Sequence, residues 1–183
     1  DVAAPFLTPM KTAVFVAVFI AMPVVLFQIW QFVAPGLYRR EKRLAIPLMI
    51  SSIVLFYSGV AFAYFIVFKV MFGFFAGVTP SGVNMTPDIS AYLSFVLGIF
   101  LSFGLAFEVP IATVLLLWSS LVSMKALKSA RPYVFLGAFV AGMLLAPDVF
   151  SMTLMAIPMY ALYEGGLLMA RFLLPIEKTA VQT

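Results

Sequence analysis

Histidine and cysteine are both absent from the 183 residues, and charge is scarce, with Asp, Glu, Lys and Arg together at 10%. A soluble domain carries about 25%. Without cysteine there is no disulfide and no thiol ligand. Without histidine there is no Ser-His-Asp or Cys-His nucleophile and no imidazole metal site. The phosphate loop, the HExxH motif and the dinucleotide fingerprint are missing as well. The seven acids are scattered one to a helix or loop, so no paired-carboxylate site is visible. We read the chain as no enzyme, needing neither cofactor nor metal. It shows no internal repeat and no low-complexity tract. It opens on Asp1, with no basic n-region or cleavage site before the first apolar run. That is not a signal peptide, and we expect a fragment or processed chain whose N-terminus is missing.

What is present is apolar: 64% of the residues, with a mean hydropathy of +1.15. A compact domain of this length has too little interior to hide so much apolar surface. The remaining class is an integral membrane protein. The sequence is free of charge from Thr12 to Tyr38 and from Leu44 to Phe68. From Ile89 to Met124 the only charge is Glu108, and Pro132–Pro147 and Val149–Tyr163 are two shorter clean runs. These runs predict an all-α bundle of five helices, near 12–35, 44–72, 88–120, 132–146 and 149–171. The third run has 36 residues, about 54 Å of helix against a hydrocarbon core of about 30 Å, so it must tilt, kink or overshoot. The fourth, at 16 residues, spans only about 24 Å and should thin the bilayer or border a wet cavity.

Punctuation sets the limits. Thr86-Pro87-Asp88 reads as N-cap, first-turn proline and an acid favoured by the helix dipole. Pro132 is placed to open the fourth helix, and Asp148 to cap the fifth. Residues Gly77 to Gly82 read as a loop. Pro23, Pro110 and Pro158 lie inside apolar runs and should bend their helices. Net charge is +4, but the basic residues cluster between apolar runs, which points to membrane orientation and not to nucleic acid. Arg39, Arg40, Lys42, Arg43, Lys125, Lys128, Arg131, Arg171 and Lys178 all fall on one side, leaving Lys11 and Lys69. That side is expected to be cytoplasmic, so the chain starts outside and ends inside.

Glu108 is the most informative position. A carboxylate in mid-membrane costs a few kcal/mol on insertion scales. Pro110, two residues on, removes an amide donor and displaces the Ala106 carbonyl. Such a polar, backbone-open spot is tolerated only against protein or water. It is either a working group or a protonated acid used for packing. Ser94, Gly98, Ser102 and Ala106 recur at intervals of four and suit close helix approach. Glu108 would lie about 100° from that stripe. Glu41, inside Arg39-Arg40-Glu41-Lys42-Arg43, either balances local charge or accepts a ligand's guanidinium. Trp30 reads as an interfacial anchor, and Gln28 and Phe32 as ordinary helix residues able to line a groove. Glu164 and Arg171, seven apart, share a face and read as an interfacial pair or as snorkelling charges.

The stretch Gln28-Ile-Trp30-Gln-Phe32-Val-Ala-Pro35-Gly36-Leu37-Tyr38-Arg-Arg-Glu41-Lys42-Arg43 resembles the second-helix and first cytoplasmic-loop signature of the TatC family, the multispanning component of the twin-arginine protein translocase. Phe103-Gly104-Leu-Ala-Phe107-Glu108-Val-Pro110, Leu144-Leu-Ala-Pro147-Asp148-Val-Phe150-Ser151 and Ile157-Pro158-Met-Tyr160-Ala-Leu-Tyr-Glu164 resemble its intramembrane Glu motif, last outer turn and last helix. The resemblance implies six spans in the family, here five. The missing parts would be an N-terminal tail, the first helix and most of the first periplasmic loop. It implies a concave polar pocket in the bacterial inner membrane. It implies recognition of the paired arginines of signal peptides, assembly with TatA and TatB in a multimeric complex, and export of folded cargo driven by the proton-motive force. By the same resemblance Glu41 would accept signal-peptide arginine, with Phe32 and Gln28 nearby. Glu108 and Pro110 would form the intramembrane pocket. Asp148, Met143 and Leu144 would belong to the partner-docking edge. The family often has two prolines before that aspartate, and here Ala146-Pro147-Asp148 has one. The competing reading is a proton- or solute-coupled transporter subunit using Glu108 as its relay. Such a carrier would usually show internal symmetry or a second embedded ionisable partner, and neither is visible. A third reading is an assembly scaffold without a ligand site.

Overall fold

The computed structural model describes residues 2–37, 42–84, 86, 88–118, 121–145 and 148–173; at 34–37, 42–45 and 173 only the backbone is described. The described residues form an all-helical bundle. Helix α1 is Ala4–Leu37 and α2 is Lys42–Phe62; a π turn, Ala63–Val67, joins α2 to α3, Phe68–Val78. Then come α4 (Ile89–Ala106), α5 (Val109–Trp118), α6 (Met124–Ser129), α7 (Arg131–Leu145) and α8 (Val149–Leu173). Among the described residues, four stretches are long and apolar enough to cross a membrane: Ala4–Val33, Ile46–Val78, Ile89–Trp118 and Val149–Phe172. The fifth expected span, Arg131–Leu145, is a shorter apolar helix, rising only about 22 Å.

Several limits differ from the expectation. Helix α1 starts eight residues before position 12, because Thr8 and Lys11 do not interrupt it. Helix α3 continues through Gly77, so the loop begins at Thr79, where Gly82 adopts φ +100. Only glycine takes that conformation without strain. Asp88, not Thr86, caps α4: its side chain accepts from the Ser90 amide at 3.4 Å. The overlong third run is interrupted outright. The Phe107 amide bonds to the Phe103 carbonyl and the Glu108 amide to the Leu105 carbonyl, each at 3.0 Å, and α5 starts afresh with Ala112 on the Glu108 carbonyl. Pro110 therefore sits in the first turn of α5 and not in a bent helix interior. Its missing N–H costs little there.

Two cores stack along the bundle. At the basic end, Trp30, Leu48, Ile111, Val114, Leu117, Trp118, Leu127, Tyr163, Leu167 and Ala170 pack together. At the other end, Ala63, Val67, Phe68, Met71, Ile99, Phe103 and Met155 do so. Trp30, 5% exposed, is thus a core residue and not an interfacial anchor. A smaller cluster of Met22, Leu26 and Phe56 ties α1 to α2.

Three close backbone approaches fix the packing. A methyl on Gly59 would collide with the Phe103 carbonyl, one on Gly142 with the Met152 carbonyl at 2.8 Å, and one on Gly166 with Pro110 Cα at 2.8 Å. Gly104 seats the Phe56 ring, where a Cβ would come within 2.7 Å. The expected stripe does not carry this contact, since Gly98 meets nothing nearer than Leu145 Cδ2 at 3.7 Å. The seam uses Gly104 and Gly59, off the four-residue spacing.

Candidate functional site: a membrane-depth carboxyl

Helices α2 and α4 run antiparallel, and their register follows from two contacts: Phe56 against Gly104 and Gly59 against Phe103. One turn before Phe56, Ser52 then meets Glu108. The Ser52 hydroxyl donates to Glu108 Oε2 at 2.5 Å. Ser52 is 1% exposed, and Glu108 is half-buried. Both lie ten residues from the basic end of their helices, at Lys42 and Trp118. That is about 15 Å of helix, close to the middle of a hydrocarbon core of about 30 Å. The other oxygen, Oε1, is shielded from solvent and has no hydrogen-bond partner among the described residues.

The carboxyl thus occupies the waist between the two cores, at the break between α4 and α5. One oxygen is satisfied, and the other is shielded with its hydrogen-bonding capacity unspent among the described residues. This arrangement suits recognition through a hydrogen bond.

Ser52 carried no signal in the sequence. Hydroxyls in apolar helices usually bond the carbonyl four residues back. Ser58 on Val54, Ser94 on Ser90 and Thr113 on Val109 do so here. Ser52 is directed to another helix instead, which only the packing reveals.

The remaining candidates are spread along the bundle. Gln28 and Phe32, one turn apart on α1, are both exposed, Phe32 at 87%. They face away from the core that takes Trp30. Glu41, their expected companion, lies outside the described residues. At the far end, Asp148 caps α8, accepting from the Ser151 amide at 2.8 Å. Met143 and Leu144, at 53% and 79% exposure, project from the end of α7. Phe150 stacks on Phe74 with ring centroids 3.7 Å apart, fastening this turn to α3.

Glu164 does not pair with Arg171, which is exposed. Its carboxylate pairs with Arg131, accepting from Nη2 at 3.1 Å with Nε at an ion-pair distance of 2.8 Å, and accepts from the Tyr160 hydroxyl at 2.8 Å. The neighbouring Tyr163 hydroxyl donates to the Leu127 carbonyl at 2.6 Å. Helices α6, α7 and α8 are therefore joined by polar contacts at the basic end.

With this geometry in view, comparison with known proteins is direct. Residues 1–158 match the family model described as Sec-independent protein translocase protein (TatC). The Sec-independent protein translocase protein TatC of Azotobacter chroococcum mcd 1 is 60% identical over 90% of this chain and 65% of its own length. That of Escherichia coli (strain K12) is 54% identical over 94% of this chain and 67% of its own. A crystal structure of the twin-arginine translocase receptor TatC superposes with a TM-score of 0.83 at 40% identity, covering 92% of this chain and 75% of that one. The chain spans about two thirds of the length of the curated relatives it matches. By sequence along most of its length, and by fold, the chain belongs to the TatC family of Sec-independent protein translocase proteins.

Proposed function

We propose that this chain is the membrane core of a twin-arginine translocase and the receptor for its signal peptides, acting in the export of folded proteins. It is a single membrane domain in the bacterial inner membrane, its basic end toward the cytoplasm. TatA and TatB are its partners. The observation that carries this reading is a carboxyl held at mid-membrane depth with one oxygen left without a hydrogen-bond partner among the described residues, in a chain of this family. A group so costly to bury is retained for contact with a partner, and Glu108 offers it at the helix break. The signal peptide is met at the basic end. Glu41 accepts arginine there as a planar fork, the geometry in which carboxylates bind guanidinium best. Gln28 and Phe32, exposed on one face of α1, line the approach. At the opposite end the turn with Met143, Leu144 and Asp148 is the docking edge for a partner helix. The test is Glu41→Ala and Glu41→Lys in the full-length protein, with export of a folded twin-arginine reporter as readout. Export is expected to stop while the complex still assembles. Undiminished export by both variants removes the recognition role.

A further inference from the structure

We propose that Ser52 is a positioning residue for Glu108: its hydroxyl fixes which carboxyl oxygen is tied to the bundle and which is left unpaired for a contact that forms when a partner docks at membrane depth. The inference rests on the reading of Glu108 as a contact group. Three observations carry it. The hydroxyl donates across helices to Oε2, whereas Ser58, Ser94, Thr113, Ser129 and Thr153 all donate to the carbonyl four residues back. The contact is built into the helix register, since Ser52, Phe56 and Gly59 follow one face of α2 onto Glu108, Gly104 and Phe103. Finally, the carboxyl is used unevenly: Oε2 is occupied and Oε1 is buried without a partner among the described residues.

Chemistry explains why a hydroxyl suits this place. A serine O–H can donate both to a carboxylate oxygen, where the bond is stronger, and to the carbonyl oxygen of a protonated acid. In the first state Oε1 is left as an acceptor. In the second it carries the proton and becomes a donor. Either way Oε2 is anchored and Oε1 is the oxygen left unpaired, so the Ser52 contact survives a change of protonation. Without Ser52 the side chain rotates about its own bonds, and Oε2 loses its partner in a dry surrounding.

The experiment measures export of a folded twin-arginine reporter into energised inverted vesicles holding the full-length protein and its translocase partners. Assembly is followed on native gels. Ser52→Ala is expected to lower export about tenfold, the order set by one hydrogen bond to a carboxyl. Ser52→Thr restores most of it, and Ser52→Cys, an isosteric but weak donor, falls between. In a Glu108→Ala background, Ser52→Ala adds no further loss. The infrared carbonyl band assigned by difference against Glu108→Gln shifts in Ser52→Ala and returns in Ser52→Thr. Full export by Ser52→Ala or Ser52→Cys, or an equal loss in both backgrounds, overturns the positioning role while leaving Glu108 in place. Full export by Glu108→Ala overturns the reading of Glu108 and the role of Ser52 with it.

Discussion

Gly59→Ala tests the α2–α4 seam, on which the geometry of Glu108 depends. A methyl there would meet the Phe103 carbonyl group, its carbon 2.8 Å away and its oxygen nearer, with Gly104 Cα at 3.0 Å. Ordinary contact begins at 3.4 Å. The obstacle is backbone and cannot swing aside, so the helices must part by at least about half an ångström, an overpacking that costs about 1–3 kcal/mol. Ser52 and Glu108 lie on the same seam at 2.5 Å. The same separation would carry them to about 3 Å or beyond, the edge of the range for O–H···O bonds. Two losses are therefore expected together. The thermal midpoint of the purified protein in mild detergent falls by about 2–4 °C for each kcal/mol. Export falls in parallel with Ser52→Ala. Gly73→Ala and Gly137→Ala are the controls, because a Cβ at either position meets nothing within 4 Å. Both should be neutral or stabilising by about 0.5–1 kcal/mol, as for alanine replacing glycine within a helix. A Gly59→Ala protein as stable and as active as these controls would refute the argument from backbone contact.

Three further outcomes follow from contacts already described. Trp30→Ala, which empties a core site, should cost about 3–5 kcal/mol in detergent unfolding; Phe32→Ala, at 87% exposure, should leave stability alone and reduce binding of a twin-arginine peptide. Arg131 and Glu164, 42% and 31% exposed, should show a coupling of about 1 kcal/mol or less in a double-mutant cycle once screening is allowed for; the swap Arg131→Glu with Glu164→Arg should recover most of what either single change loses. Asp148→Ala should destabilise by about 1 kcal/mol through loss of the cap while Asp148→Asn does not, so that a docking defect seen in both, by crosslinking to a partner helix, reports the charge and not the cap.

The spans were readable because run length and charge position depend only on the solvent, and lipid excludes charge wherever it falls. The interruption at Glu108 was half readable. An acid and a proline two residues apart announce a disturbed helix, but a bend and a full stop look alike in sequence. Trp30 was misjudged because a tryptophan near a helix end suits an interface as well as a core; only the neighbours Leu48, Leu127 and Tyr163 decide between them. For Glu164 the sequence offers an interfacial pair with Arg171, on its own helix face, or two snorkelling charges. Its partner is Arg131, 33 residues away, because the short α7 begins level with the interior of α8. The seam glycines escaped for a related reason. Small residues are spaced regularly along α4, but which of them faces α2 is set by the partner's bulk at Phe56 and not by the stripe itself. Ser52 shows the same limit: a side chain that hydrogen-bonds between helices has no local pattern.

The π turn at Ala63–Val67 acts as a phase correction. In an unbroken α-helix, residues four apart drift about 40° with each step, yet Ala63, Val67 and Met71 are all buried, while Tyr64, Phe65 and Ile66 between the first two are exposed. The wide turn takes in an extra residue and cancels that drift. Deleting one residue inside the turn would only close it to an ordinary α turn, whereas deleting Lys69, just beyond it, would swing everything downstream by about 100°, turning Met71 toward the acyl chains and leaving its place beside Ile99 and Phe103 unfilled. Composition and hydropathy would hardly register the deletion, although the bundle would have lost half its spine.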